Sequence, residues 1–274
     1  MGLLEQFLMA KTGHDETCGD ALYIGDHYLA VIDGATSKQA TPGLELPRIA
    51  ALTVAAALQA LAPETGLHDA LHQITRALQD TAARLDLPGD LPEALALVAS
   101  AAIVSLHRRE VWRVGDCQII VNGTSYPRRT LVDEVTSGTR ALRLAELIRT
   151  GAATEASLLE RDLGREFIQP LLSQQTCFLN QERLATPFAY VALCGIPVPA
   201  WGIERYYLPA GPVDLVLASD GYPELHSTLE ASEAALTRIL TRDPLCYQEF
   251  KSTKGCYPGQ ASFDDRAYLR LRLD

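Results

Sequence analysis

Apolar residues along this chain come in short bursts of strand length, separated by longer stretches with a helical period. ALYIGDHYLAVID (21–33) reads as two short strands around the turn-forming pair Gly25-Asp26. Residues 44–62, LELPRIAALTVAAALQALA, read as a helix once past Pro47, because Ala and Leu dominate and turn formers are few. Leu67, Leu71, Ile74 and Leu78 recur at helical spacing and give 67–85 one apolar face, which Leu87-Pro88-Gly89-Asp90 ends. SAAIVSLH (100–107), EVWRVGD (110–116) and QIIVNG (118–123) predict successive strands, broken at Arg108-Arg109, Gly115-Asp116 and Asn122-Gly123. Two further helices are expected over 138–149 and 155–172. FAYVALCG (188–195), IERYYL (203–208) and VDLVLAS (213–219) predict strands. Residues 228–241 predict a helix with Ser227 or Thr228 as candidate cap, and RAYLRLRL (266–273) alternates as a half-exposed strand does.

Helices that come in pairs between hairpin-like strand groups do not suit a regularly wound parallel sheet. They suit an α+β fold of two antiparallel sheets with helical hairpins outside. No internal repeat, long linker or low-complexity tract divides the chain, so one domain over 1–274 is the expectation.

Composition narrows this further. With 274 residues, 47% of them hydrophobic, the chain can bury a large core. Its 24 basic and 34 acidic residues leave a net charge of −10, and no basic stripe stands out, which argues against a nucleic-acid partner. No apolar stretch is long and uninterrupted enough to span a bilayer, and Met1–Gly13 lacks the basic start and cleavage site of a signal peptide. Gln6 stands where a myristoylation signal wants Ser or Thr. Six cysteines show no CxxC pair and no zinc spacing, which fits free thiols in a reducing cytoplasm.

Acids recur where apolar strands begin and end. Asp20 precedes ALYI, Asp33-Gly34 ends YLAVID, Asp116 follows VWRVG, Asp220-Gly221 ends LVLAS, and Asp264-Asp265 precede the last strand. One Asp-Gly alone is a turn. Several at strand ends sit on rigid posts and can converge. A converging set repels itself until a hard cation neutralises it, and Mg2+ and Mn2+ prefer such oxygen donors. Competing chemistries lack their signatures: there is no GxSxG elbow, P-loop or HEXXH, and the six histidines are scattered. His68 and His72 share a helix face, where a solvated pair outweighs a zinc site.

The ordered set CGDALYI, AVIDGATS, VGDCQIIV, LVLASDGYPEL and SFDDRAYL resembles the metal-dependent serine/threonine protein phosphatases of the type 2C (PPM) family, as a divergent, bacterial-like member, over about residues 12–273. The resemblance implies a four-layer α-β-β-α sandwich with two central antiparallel sheets, and a centre of two or three Mg2+ or Mn2+ ions. It implies that Asp33 bridges two ions, that the Gly34 carbonyl completes one shell, and that Asp220 and Asp264 ligate the other ion. Asp20 would orient metal-bound water, Asp116 would share a third ion with Asp220, and Glu224 would support that ion. The implied reaction is hydrolysis of a phosphomonoester by water bridging two ions, with a phosphorylated protein (phosphoserine or phosphothreonine) or a small phosphorylated substrate as partner.

Several positions depart from the family pattern. Gly19 stands where the family has Glu or Gln before Asp20, leaving Asp15 or Glu16 as substitutes. Asp15 stands at the usual phosphate-binding arginine, and a carboxylate cannot do that work. Asp33-Gly34-Ala35-Thr36, Val98-Ala99-Ser100 and Gln118 also differ. Lys251, Lys254 and Arg266, with Lys11, are the candidate compensating, phosphate-binding cations. The departures open an alternative: a catalytically weak or inactive phosphatase-fold sensor or binding protein. A third class, a sandwich hydrolase with an N-terminal nucleophile, is disfavoured by Met1-Gly2. The natural substrate and the oligomeric state are left open.

Overall fold

The computed structural model describes residues 1–35, 44–87, 91–127, 129–183 and 186–274, with Asp15 in its backbone alone. The elements in chain order are β1 (Gly2–Met9), β2 (Asp20–Ile24), β3 (Tyr28–Gly34), α1 (Leu46–Ala60), α2 (Leu67–Ala82) and α3 (Glu93–Ala96). Then come β4 (Ala99–Ser105), β5 (Glu110–Val114), β6 (Gln118–Val121), β7 (Thr124–Tyr126), α4 (Leu131–Arg149), α5 (Glu155–Glu160) and α6 (Leu163–Gln174). The chain ends with β8 (Glu204–Tyr207), β9 (Val213–Ala218), α7 (Leu229–Arg242) and β10 (Arg266–Leu273).

The strands form two five-stranded sheets, ordered β1-β10-β9-β6-β7 and β2-β3-β4-β5-β8. Their ladders are antiparallel throughout. Alternation along β3 shows how the layers stack. Leu29 and Val31 join Ala102, Val104, Leu215, Leu217, Leu269 and Leu271 between the sheets. Ala30 and Ile32 face the other way and pack with Ala50, Val54, Leu58, Leu71 and Ile74 of α1 and α2. A strand covered on both faces reads as one apolar run, which is why YLAVID lacks a clean two-residue period. The outer face of the first sheet is covered by Tyr222, Leu225 and Leu229, the last opening α7. This is the four-layer α-β-β-α sandwich that the motifs imply.

Local expectations fared unevenly. The edge strand β1 carries no clear strand signal, because none of its residues is buried and it pairs only with β10. Residues 188–195 are not a regular strand: isolated bridges at Tyr190 and Leu193 take its place. The helix expected over 155–172 splits at Arg161-Asp162, because Asp162 caps α6 by accepting the Arg165 N–H at 2.7 Å. Helix α4 starts before 138, where Thr130 caps it by accepting the Asp133 N–H at 3.2 Å. The break at 88–90 and Thr36 lie outside the described residues. No described helix is long and apolar enough to cross a membrane.

Candidate functional site

Sheet register delivers the acids to one end of the sandwich. Asp20 opens β2 opposite Asp33 of β3, and Asp33 in turn stands opposite Ser100 of β4. The Ser100 hydroxyl lies 2.6 Å from Asp116, just beyond β5. Asp220 follows β9, and Asp264-Asp265 precede its neighbour β10. Ser219 ties these two strand ends together: its N–H donates to the Ala267 carbonyl at 3.0 Å, and its hydroxyl accepts the Ala267 N–H at 2.9 Å. Asp33, Gly34, Asp116, Asp220, Asp264 and Lys254 line one cleft of about 370 Å³. Gly34 is required by close approach. A Cβ built there falls on the carbonyl oxygens of Pro47 and Gly19.

The acids perturb one another. Burial pushes the Asp20 carboxyl well above its ordinary value, Asp264, Asp265 and Asp220 push it further, and a hydrogen bond from Ser219 opposes them. Burial does the same to Asp33, reinforced by Asp20, Asp116 and Asp264 and opposed by a hydrogen bond with Asp220. Asp220 is raised by burial, then by Asp33, Asp116 and Asp264, with Lys254 opposing. Asp33 and Asp220 are therefore an interacting pair of buried acids, both raised above the ordinary carboxylate range. Asp264 differs. Burial pushes it up, but Lys254 and then Lys11 outweigh that and bring it below the usual carboxylate range.

Two lysines reach the cluster. The Lys254 Nζ lies 2.6 Å from Asp264 Oδ1. Burial disfavours its charge, yet Asp264 and then Asp220 raise its pKa above the ordinary lysine value. The Lys11 Nζ is 3.4 Å from Asp265 and 3.9 Å from Asp264. Asp265 also accepts the backbone N–H groups of Lys11 at 2.7 Å and Gly19 at 3.0 Å. A Cβ at position 19 would stand 3.0 Å from Asp265 Oδ2 and 3.1 Å from the Pro47 Cβ. The missing side chain before Asp20 is thus matched by the second acid of the Asp-Asp pair, which sequence reasoning left without a role.

Four candidates lie elsewhere. Glu224 is exposed, paired with Arg238 at 2.7 Å, and does not line the cleft. Arg266 faces Glu233 through two bonds, at 2.9 and 3.1 Å, with its guanidinium over the Phe7 ring. Lys251 is exposed, and it is its carbonyl that is engaged, by Arg129 at 2.7 Å. Glu16 is exposed and outside the cleft lining. The cleft also includes Arg129, Arg165, Tyr190 and Thr253, which carried no local signal because they come from distant parts of the chain. The six cysteines are free thiols, and burial pushes Cys18 up to about 12, which removes it as a nucleophile.

Hard oxygen donors suit Mg2+ or Mn2+, and the buried Asp20 Oδ2 has no hydrogen-bond partner among the described residues. The placement does not suit them. Among the described residues no three His, Cys, Asp or Glu side chains gather closely enough to hold an ion. Lys254 already sits on Asp264. The residues as placed do not fit a two-ion centre.

No protein-family model matches the sequence, and no curated protein matches it. Among solved structures, it shares its fold with the catalytic domain of the serine/threonine protein phosphatase PstP in complex with two manganese ions. The TM-score is 0.50 at 15% identity, over 99% of each chain. The Mycobacterium tuberculosis phosphatase PstP/Ppp gives a TM-score of 0.49 at 15% identity over 98% of each chain. Staphylococcus aureus Stp1, a serine/threonine phosphatase, gives 0.49 at 11% identity, covering 100% of this chain and 96% of its own. At such identities the likeness is one of fold.

Proposed function

We propose that this chain is a phosphatase-fold protein with weak or no hydrolytic power, a single domain over 1–274, acting as a sensor or binding partner in the cytoplasm. The observation that carries this is the Lys254–Asp264 ion pair, which places an ammonium on Oδ1 of the carboxylate a second divalent ion would need. Asp33, Asp116, Asp220 and Asp20 keep the family's strand-end positions, so the architecture for holding a phosphorylated protein or a small phosphorylated ligand persists without a complete hydrolytic centre. A second reading, a Mg2+- or Mn2+-dependent phosphomonoesterase, draws support from the unpartnered Asp20 Oδ2 and the mutually repelling acids, both of which a hard cation would relieve.

The experiment is hydrolysis of a generic aryl phosphate across a titration of Mn2+ and of Mg2+, by the wild type and the Asp33→Asn and Asp220→Asn variants. Turnover near background at every metal concentration, unchanged in both variants, is expected. Hydrolysis that rises with Mn2+ and disappears in either variant would sink this proposal and establish the second reading.

A further inference from the structure

Residues 251–254 form a strap whose carbonyls are taken, one after another, by three arginines. Arg129 donates to the Lys251 carbonyl at 2.7 Å, Arg140 to Ser252 at 2.9 Å and Arg165 to Thr253 at 2.8 Å. Arg129 lies just before α4, Arg140 within it, and Arg165 in α6. Arg140 is fully buried and also donates to the Cys246 carbonyl at 3.2 Å. Its guanidinium meets Asp162 at 2.9 and 2.6 Å, and the Tyr257 hydroxyl donates to the same Asp162 oxygen at 2.7 Å. Both ends of the strap are therefore anchored to the helices. Holding three successive carbonyls fixes the direction in which the chain leaves them. The next side chain is Lys254, whose Nζ reaches Asp264 at 2.6 Å.

We propose that Lys254 is a resident cation, delivered by this arginine-held strap, that replaces a divalent ion at the Asp264 end of the cleft, so that the chain binds at most one Mn2+. An ammonium is a compact point charge with three donors and no open coordination position. It neutralises a carboxylate as an ion does, without polarising a bound oxygen. It also excludes a competitor. At an effective dielectric of about 20, a unit charge about 4 Å from a dication lowers the ion's affinity by on the order of a millionfold, and even with the full screening of water by about thirtyfold. Among the described residues the lysine contacts fall on Asp264 and Asp265, not on Asp33 or Asp116. This inference rests on the reading of the site given above, but its test counts ions and does not measure turnover.

The test is equilibrium dialysis of the full chain against Mn2+ alone, in phosphate-free buffer, with free Mn2+ read by its paramagnetic resonance. The wild type should saturate at no more than one ion per chain. Lys254→Met should gain one further ion, bound at least about thirtyfold more tightly than any second ion in the wild type. Lys254→Arg, which keeps the charge, should retain the wild-type count. Thermal melts check that the variants fold, and Lys254→Gln replaces the Met variant if that one does not. Two ions bound by the wild type, or no gain in a folded neutral variant, overturns the proposal. Turnover supported by a single ion would instead sink the functional reading and leave this one standing.

Discussion

Arg140 is the most demanding test of how the site is built. Its side chain is fully buried, and its partner Asp162 is 7% exposed. Replacing Arg140 with Met keeps much of the volume and removes both bonds to Asp162 and the donors to the Cys246 and Ser252 carbonyls. Breaking a buried ion pair from one side costs about 3–5 kcal/mol, because the remaining charge is stranded. Here Asp162 keeps the Arg165 N–H at 2.7 Å and the Tyr257 hydroxyl at 2.7 Å, which softens that term. The two carbonyls left without a donor each cost about 1–3 kcal/mol if water cannot reach them. The contributions share one network and do not add, so about 4 kcal/mol is expected.

Urea unfolding followed by far-UV circular dichroism measures this at equilibrium. The cycle with Asp162→Asn separates the ion pair from the carbonyls. In the double variant no charge is stranded, so its loss should fall short of the sum of the singles by about 1.5 kcal/mol or more. A loss below about 1 kcal/mol for Arg140→Met, or additive singles, would refute the claim that Arg140 and Asp162 act as one unit holding the strap.

Two further outcomes follow from the cluster itself. Asp33 and Asp220 have native pKa values raised well above 3.8, so their stabilising contribution is complete below that pH and is lost as pH rises through the native values. Relative to wild type in metal-free buffer, Asp33→Asn should therefore melt progressively higher as pH goes from about 4 to about 8. A difference that stays flat or shrinks over that range contradicts the coupled pair. Asp264, lowered by its lysines, works in the opposite sense: its contribution is present above 3.8 and is lost as pH falls through its native value. Gly34→Ala should cost about 1–3 kcal/mol or more in urea unfolding, because its Cβ lands on backbone oxygens of Pro47 and Gly19 that cannot swing aside. A near-neutral effect would show that β3 and the start of α1 can part there.

The strand ends were legible in sequence because each one carries two local signals together, an apolar run and then an acid with a turn former. That was enough to place Asp20, Asp33, Asp116, Asp220 and Asp264 at strand ends; that β9 and β10 stand side by side was not legible there. The sandwich was legible for a similar reason, since paired helical stretches alternate with strand groups. Position 224 was different. An acid four residues past Asp220 has the right spacing, but Arg238 of α7 draws it outward, and that ion pair crosses a loop. Lys254 was only one of several candidate cations, because nothing within KSTKG tells position 251 from 254. What separates them is three arginines supplied from residues 129–165.

The motif order therefore specifies the frame more firmly than the chemistry. Carboxylates on neighbouring strand ends must be neutralised by something, and the same backbone serves whether that is a divalent ion or an ammonium. On the proposal made above, two local features decide which. Gly19 removes a side chain and lets Asp265 come in to accept the N–H groups of Gly19 and Lys11. That brings Lys11 to within 3.9 Å of Asp264 Oδ1, the same oxygen that Lys254 reaches from the strap at 2.6 Å. With two ammonium groups near it, Asp264 is lowered, whereas Asp33 and Asp220 are raised by burial and by their neighbouring carboxylates, with Lys254 only partly opposing the rise at Asp220.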